Sequence, residues 1–511
     1  MKIETAYHNW QQFLAGNPII SPEVIAGELS SSFMNQLKAD EKPDFRAIDL
    51  LCGMALFEEN FQVRKAAVAA LYKNIVEQLC DDFTTRGVEL CNLVLLRMIG
   101  FIRRQKEGES LNRLLNELNY TDQEPLLARY EKIHHDIALS RPLKDKIRKI
   151  LILSRVTVGA DVAITSIMVH RLAHSFPKAE IVVYGPAHLP EIFYGLPRVH
   201  WARFHYQRDG GLIGRLASYT ALYQQLKMEW EGLHDGQTLL FDPDSRLSQL
   251  ALLPLLDDRY TRHFPSRTDQ QDDSSRLSQL TNRWLNEVLG EQISILPQIC
   301  IRAAHEDSIK SFFAQFPPGC KKIVINLGVG NDRRKRLPDP FEEKLLTGLL
   351  QDDSALVVLD SGCHPEERER ARALMEIIQM KTYEAVAVSE KNLAARQIPF
   401  QHGLICIQGG IGMLSALIDQ ADVFFGYDSC CQHLATARGT RSVICFAGAP
   451  NDRFFDRWRP LDKSGSTTTI RIKDSSHLTD TNLTELAEKF CRLILAEEKH
   501  DKTNGKQDKT R

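Results

Sequence analysis

The chain has 511 residues, with 64 Lys and Arg set against 66 Asp and Glu for a formal net charge of −2. That length exceeds one ordinary core and predicts two or three domains, while the balanced charge argues against a nucleic-acid or membrane-surface binder. The 11 cysteines are scattered without a CxxC pair, which suits reduced thiols, and the start MKIETAYHNW lacks the apolar core of a signal peptide.

No run approaches the ~20 apolar residues needed to span a bilayer. A cytoplasmic protein with at most peripheral membrane contact is therefore expected.

Residues 1–145 read as helix. Apolar residues recur at three and four positions in Phe61 to Leu79 and in Val88 to Ile102. No period repeats, so a bundle is favoured over a solenoid. From Lys146 the texture changes to apolar runs alternating with helical segments, the βαβ pattern of a parallel sheet. Runs at Lys146 to Ser154, Glu180 to Tyr184, Val199 to Phe204 and Thr238 to Asp242 make a first α/β domain over residues 146–297, with Arg262 to Ser275 as a loop.

A second α/β domain, residues 298–496, carries strands at Lys322 to Gly328, Ala355 to Asp360, Ala385 to Val388, Leu404 to Gln408, Val423 to Tyr427 and Ser442 to Phe446. Leu483 to Leu495 reads as a closing amphipathic helix, and the charged tail 497–511 as disordered. The fold class expected is α/β, with two Rossmann-type parallel-sheet domains after an all-helical region and a ligand cleft between them.

Four strand ends carry polar residues suited to chemistry, because parallel sheets bind ligands at their carboxyl edges. At the first, Asp161 follows Gly159 at a helix start, as a cap or as a carboxylate able to accept a substrate proton. At the second, Gly328 and Gly330 precede Arg333, Arg334, Lys335 and Arg336, a loop that is either solvated or suited to a phosphate.

At the third, Glu366 and Glu367 open a helix, either to favour its dipole or to grip ribose hydroxyls. At the fourth, Asp428, Ser429 and His433 surround a helix N-terminus whose free N–H groups favour an anion. Asp242, Asp244 and Arg246 add polar groups at a strand end of the first sheet. The adjacent Cys430 and Cys431 read as packing residues rather than a redox centre, and His134–His135 has no ligand spacing, so no metal site is expected.

In this order the segments resemble glycosyltransferase family 9, the ADP-heptose:lipopolysaccharide heptosyltransferase-like enzymes, over about residues 148–495. The resemblance rests on Gly159-Ala160-Asp161-Val162, on the Gly-containing loop with Lys335 and Arg336, and on Asp428-Ser429-Cys430-Cys431-Gln432-His433-Leu434-Ala435 followed by Gly439-Thr440 and Phe446-Ala447-Gly448. Cys430 stands where the family signature has glycine, and the helical region lies outside the family's body.

The resemblance implies a GT-B fold and inverting, metal-independent transfer without a cofactor, the first domain taking the acceptor and the second the nucleotide-sugar. Asp161 would be the general base and Lys335 would neutralise the donor diphosphate, with Arg336 beside it. Glu366 or Glu367 would hold the ribose, and Asp428, Ser429 and His433 the sugar and diphosphate.

Asp242, Asp244 and Arg246 remain acceptor-side candidates. The donor would be a nucleotide-diphosphate sugar, an ADP-linked heptose being one candidate. The acceptor would be a glycan, a lipid-linked glycan as in lipopolysaccharide biosynthesis, or a protein. The alternatives are another nucleotide-sugar enzyme, such as an epimerase, and a non-catalytic α/β body serving a helical interaction module.

Overall fold

The computed structural model describes residues 2–135, 137–269, 274–330, 332–393, 396–462, 465–475 and 477–496. The tail expected at 497–511 lies outside the described residues. Two compact bodies divide the chain: one runs through Arg302 and regains the segment that starts at Ala449, and the other holds Ala303–Gly448 and the C-terminal helix.

The helices of the first body start where capping residues stand. Ser21 precedes Pro22–Lys38 and its hydroxyl accepts from the Val24 N–H at 3.4 Å. Asn60 Oδ1 accepts from the N–H groups of Gln62 (2.9 Å) and Val63 (3.2 Å) at the start of Phe61–Ala69. Each such cap satisfies donors the helix cannot satisfy itself, at about 1 kcal/mol. The helix then widens into a π-helical turn, Ala70–Val76, before Glu77–Asp81.

The inward faces of these helices share one apolar core with the first sheet. Leu51, Leu71, Leu95 and Leu115 belong to the same buried cluster as Leu151, Leu153, Tyr184 and Leu216. Burying each such side chain is worth roughly 1.5–3 kcal/mol. Arg129 pins the joint: it is 3 % exposed, Nε lies 2.7 Å from Asp258 Oδ1, and an Nη donates to the Ala251 carbonyl at 2.6 Å. The helical region and the first sheet thus lie in one compact body.

That sheet comprises β1 (Lys149–Leu153), β2 (Glu180–Gly185), β3 (Val199–Arg203), β4 (Thr238–Asp242) and β5 (Thr261–His263). All pairings are parallel, in the order β3-β2-β1-β4-β5. Three-residue β5 lies at the start of the stretch expected to be a loop. Near-continuous burial of β1 and β4 matches their unbroken apolar runs.

The second body carries β6 (Lys321–Asn326), β7 (Ala355–Asp360), β8 (Ala385–Ser389), β9 (Gly403–Gln408), β10 (Val423–Tyr427), β11 (Ser442–Ala447) and β12 (Thr467–Ile472). These are also parallel throughout, in the order β12-β11-β10-β6-β7-β9-β8. The edge strand β12 was not expected: TTTIRI is only partly buried and has no apolar run.

The helix Asp480–Leu495 closes this core, with Phe490 5.6 Å from Phe341 and 5.3 Å from Phe425 between ring centroids. Two Rossmann-type parallel sheets after a helical N-terminal region is the GT-B-like fold class expected. No described helix is long and apolar enough to cross a membrane.

From Ala449 the chain belongs to the first body again. Asn451 Nδ2 donates to the Asp81 carbonyl at 3.1 Å, Arg453 Nε to that of Asp82 at 2.8 Å, and the Phe454 ring meets Phe83.

Candidate functional site

In the second sheet the connections leave in opposite directions from neighbouring strands β6 and β10, which makes their carboxyl ends a topological switch point. Asn326 ends β6, and β7 places Asp360 opposite it in register. Asn326 Nδ2 donates to Asp360 Oδ2 at 2.6 Å, and the Ser429 hydroxyl donates to Asn326 Oδ1 at 3.4 Å. Burial raises the Asp360 carboxyl to about 6, against hydrogen bonds from the Gly362 N–H and Asn326.

Beside them Lys335 Nζ lies 2.7 Å from Asp428 Oδ2, while Gln432 Nε2 donates to Asp428 Oδ1 at 2.7 Å. Ser429 precedes the helix Cys430–Arg438, and its side chain makes no cap hydrogen bond. His433 lies one turn into that helix and is 6 % exposed. Burial lowers its imidazole to about 4, with Asp428 opposing and Lys335 reinforcing the shift. Lys335, which the sequence placed at a separate strand end, thus stands with Asp428, Ser429 and His433 at one helix start.

One glycine of this loop answers to space and the other to backbone conformation. A Cβ on Gly328 would lie 2.8 Å from Glu367 Oε1, and Gly330 has φ +61°. Cys430 and Cys431 place their sulfurs 3.8 Å apart as free thiols, Cys431 fully enclosed.

Three donor-side residues are engaged elsewhere. The carboxylate of Glu367 accepts from the N–H groups of Cys363 (3.1 Å) and His364 (3.2 Å), closing a capping box on the helix Pro365–Met380. Glu366 pairs with Arg333 at 2.8 Å, both more than three-quarters exposed. Arg336 does not stand beside Lys335 as a free cation. Its Nε lies 3.0 Å from Glu342 Oε1, and it also pairs with Asp339.

Glu342 is 1 % exposed, lies 3.3 Å from Arg370 Nε and accepts from the Tyr427 hydroxyl at 3.2 Å. A buried carboxylate needs such partners, which explains why Arg336 is drawn inward. Asn326 and Asp360 escaped the sequence reading; their only signal was a polar residue closing each apolar strand.

On the first sheet the switch point lies between β1 and β4. Asp161 was expected to face a ligand, but it has no exposed surface. Oδ2 accepts from the Ser154 hydroxyl at 2.7 Å, and Oδ1 from the Arg155 N–H and the Thr165 hydroxyl, each at 2.8 Å. Burial raises its carboxyl to about 6 despite these three donors. It anchors the turn after β1, where Val156 has φ +58°, an unfavourable conformation for a β-branched residue.

Asp242 and Asp244 are also internal. Asp242 accepts from the Ser245 N–H at 2.7 Å and from the Ser248 hydroxyl. Asp244 accepts from Ser266 at 2.7 Å, pairs with Arg267, and lies 3.5 Å from His263 Nε2. Burial pushes the Asp244 carboxyl up, but Arg267, His263 and Arg155 outweigh it and hold it well below the usual range.

His263 Nδ1 meets His134 Nε2 at 2.7 Å, and His134 Nδ1 meets the Tyr130 carbonyl at 2.6 Å. The histidine without ligand spacing is therefore a link between helical region and sheet. Arg246 differs from both aspartates: among the described residues the one hydrogen bond of its guanidinium is an Nη donated to Cys80 Sγ at 3.5 Å, while its carbonyl accepts from Gln249 Nε2 at 3.0 Å. No group of three His, Cys, Asp or Glu side chains is placed to hold a metal among the described residues.

No family model matches the chain, and no curated protein does. Among solved structures, the chain is similar to the glycosyl transferase family 9 from Veillonella parvula at 13 % identity and a TM-score of 0.48, over 70 % of this chain and 99 % of that one. It is similar to E. coli ADP-heptose lps heptosyltransferase II at 17 % identity and a TM-score of 0.43, over 68 % of this chain and 100 % of that one. A third match is E. coli heptosyltransferase WaaC with ADP, at 14 % identity and a TM-score of 0.42, over 67 % of this chain and 99 % of that one.

Proposed function

We propose that the chain is a glycosyltransferase that binds a nucleotide-diphosphate sugar on its second body and transfers the sugar to a hydroxyl of a glycan, lipid-linked or protein acceptor. The observation that carries this reading is the meeting of Lys335, Asp428 and His433 at the start of the helix Cys430–Arg438, at a switch point of a parallel sheet. Peptide N–H groups and an ammonium at one point favour a diphosphate and would stabilise it as it departs. A preorganised donor of this kind is worth ~3 kcal/mol in a transition state.

In this reading Asp161 is the base. A carboxyl raised to about 6 suits proton abstraction near neutral pH. Its enclosure requires the turn after β1 to withdraw when an acceptor binds. The reading includes no cofactor and no metal, and ADP is the nucleotide we would test first.

One observation favours a second reading, a non-catalytic body of the same fold: the Asp161 carboxylate has no exposed surface and three internal donors. A thermal-shift screen of ADP-, GDP-, UDP- and dTDP-linked sugars, paired with an assay for nucleoside diphosphate release, tests both. Binding with release supports transfer, binding without release under any acceptor supports the second reading, and no binding removes the nucleotide-sugar altogether.

A further inference from the structure

Around Arg246 lies a set of polar groups that the donor corner does not involve. Tyr72 stands on the π-helical turn Ala70–Val76 of the N-terminal helices, and such turns often occur at functional sites. Tyr206 follows β3, Arg215 lies on the helix Gly211–Trp230, and Arg246 follows β4. All four belong to the first body.

The Arg215 guanidinium carbon lies 4.1 Å from the Tyr72 ring centroid and 5.8 Å from that of Tyr206. Tyr206 and Arg246 are also close enough to Tyr72 to act on its phenol, which burial raises above its ordinary value. Arg246 in turn donates an Nη to Cys80 Sγ at 3.5 Å, and Cys91, Tyr206 and Glu77 also act on its charge.

What sets this cluster apart is its unmet hydrogen-bonding capacity. Tyr72 is 4 % and Tyr206 6 % exposed, yet neither hydroxyl has a hydrogen-bond partner. Arg215 Nε and one Arg246 Nη are likewise enclosed without an acceptor, and no carboxylate pairs with either guanidinium among the described residues. Enclosing a donor without a partner is unfavourable, and most of all for a charged group. Two guanidiniums and two phenols call for acceptor oxygens that carry negative charge.

The backbone beyond Arg246 carries strain as well. Gln249, Leu250 and Ala251 have φ +53°, +59° and +64°, three consecutive left-handed residues without a glycine. Strain of this sort persists where the surroundings over-determine it, and it concentrates at ligand sites.

We infer that Arg215, Arg246, Tyr72 and Tyr206 form a binding site for an oxyanion, a phosphate or carboxylate, held between the N-terminal helices and the carboxyl edge of the first sheet. The helical region then supplies Tyr72 to a ligand site and is more than a scaffold. The site itself stands on the first body alone. Assigning the anion to a transferase acceptor rests on the function proposed above.

The test uses the full chain and calorimetry with two probes, inorganic phosphate and glucose 6-phosphate, at matched ionic strength in chloride. Saturable binding of either probe is expected, weakened about tenfold by Arg246→Gln and by Arg215→Gln. Tyr72→Phe removes only a hydroxyl and serves if an arginine variant fails to fold; it should weaken binding severalfold. Tighter binding of the sugar phosphate supports an anion borne on an acceptor, and equal binding supports a free anion.

No binding of either probe overturns the inference. So does binding that these variants leave unchanged, or binding that Lys335→Gln abolishes, which would put the anion in the donor corner. Nucleotide-sugar binding measured on the same samples reports separately on the proposed function.

Discussion

Lys335 and Asp428, remote in sequence, meet with Nζ 2.7 Å from Oδ2 on the carboxyl side of the second sheet. Lys335 is 24 % and Asp428 7 % exposed at the side chain. The carboxylate is nearly enclosed while the ammonium keeps a face to solvent. Asp428 therefore fixes the position of a cation that is still partly exposed. Asp428→Asn should weaken nucleoside diphosphate binding severalfold by loosening Lys335, a change calorimetry resolves.

Glu367 acts as a cap. Glu367→Ala should lower stability by about 1 kcal/mol in a denaturant melt and leave nucleoside diphosphate affinity near that of the parent. A tenfold loss of affinity at unchanged stability would instead make it a ribose ligand.

Arg336 supports the core through Glu342. Arg336→Met removes one of the two arginines facing a carboxylate that is 1 % exposed, so a loss of about 3 kcal/mol is expected. Glu342→Gln together with Arg336→Met should recover part of it, because the uncompensated buried charge is then gone. Chemical denaturation of the three variants gives the comparison.

The acid response follows from His433. Its imidazole is lowered to about 4 in the folded chain, so its contribution is present above the unfolded value near 6.5 and lost as pH falls toward 4. The stability gap between the parent and His433→Gln should narrow by about 2 kcal/mol between pH 7 and pH 5. Asp161 and Asp360, both raised to about 6, act in the opposite sense: their contribution is full below about 4 and is lost as pH rises through 6. Urea melts of parent and variant at both pH values separate the histidine from the carboxylates.

Much of the fold was legible because its central strands are unbroken apolar runs, as in Lys149–Leu153 and Val423–Tyr427. The edges were not: β5 has three residues, and β12 carries threonines on a partly exposed strand. Asp428, Ser429 and His433 share one strand end and helix start, whereas Lys335, on another strand end, was linked to them only by the family resemblance. Partners chosen by tertiary packing left no local trace.

Nothing near Arg336 announced that Glu342 would be buried beneath it. Asn326 and Asp360 become neighbours only through the register of β6 on β7. Asp161 shows the same limit, since a carboxylate at a helix start reads identically whether it faces a ligand or, as here, the Ser154 hydroxyl. Tyr72 and Arg215 meet only because helices and first sheet share a core.

Whether the Lys335 corner holds a nucleoside diphosphate is read by titrating ADP into the full chain and into Lys335→Gln. Saturable binding to the parent chain is expected, with a loss of at least about tenfold, some 1.4 kcal/mol, in the variant. Equal affinity in the two proteins would contradict it.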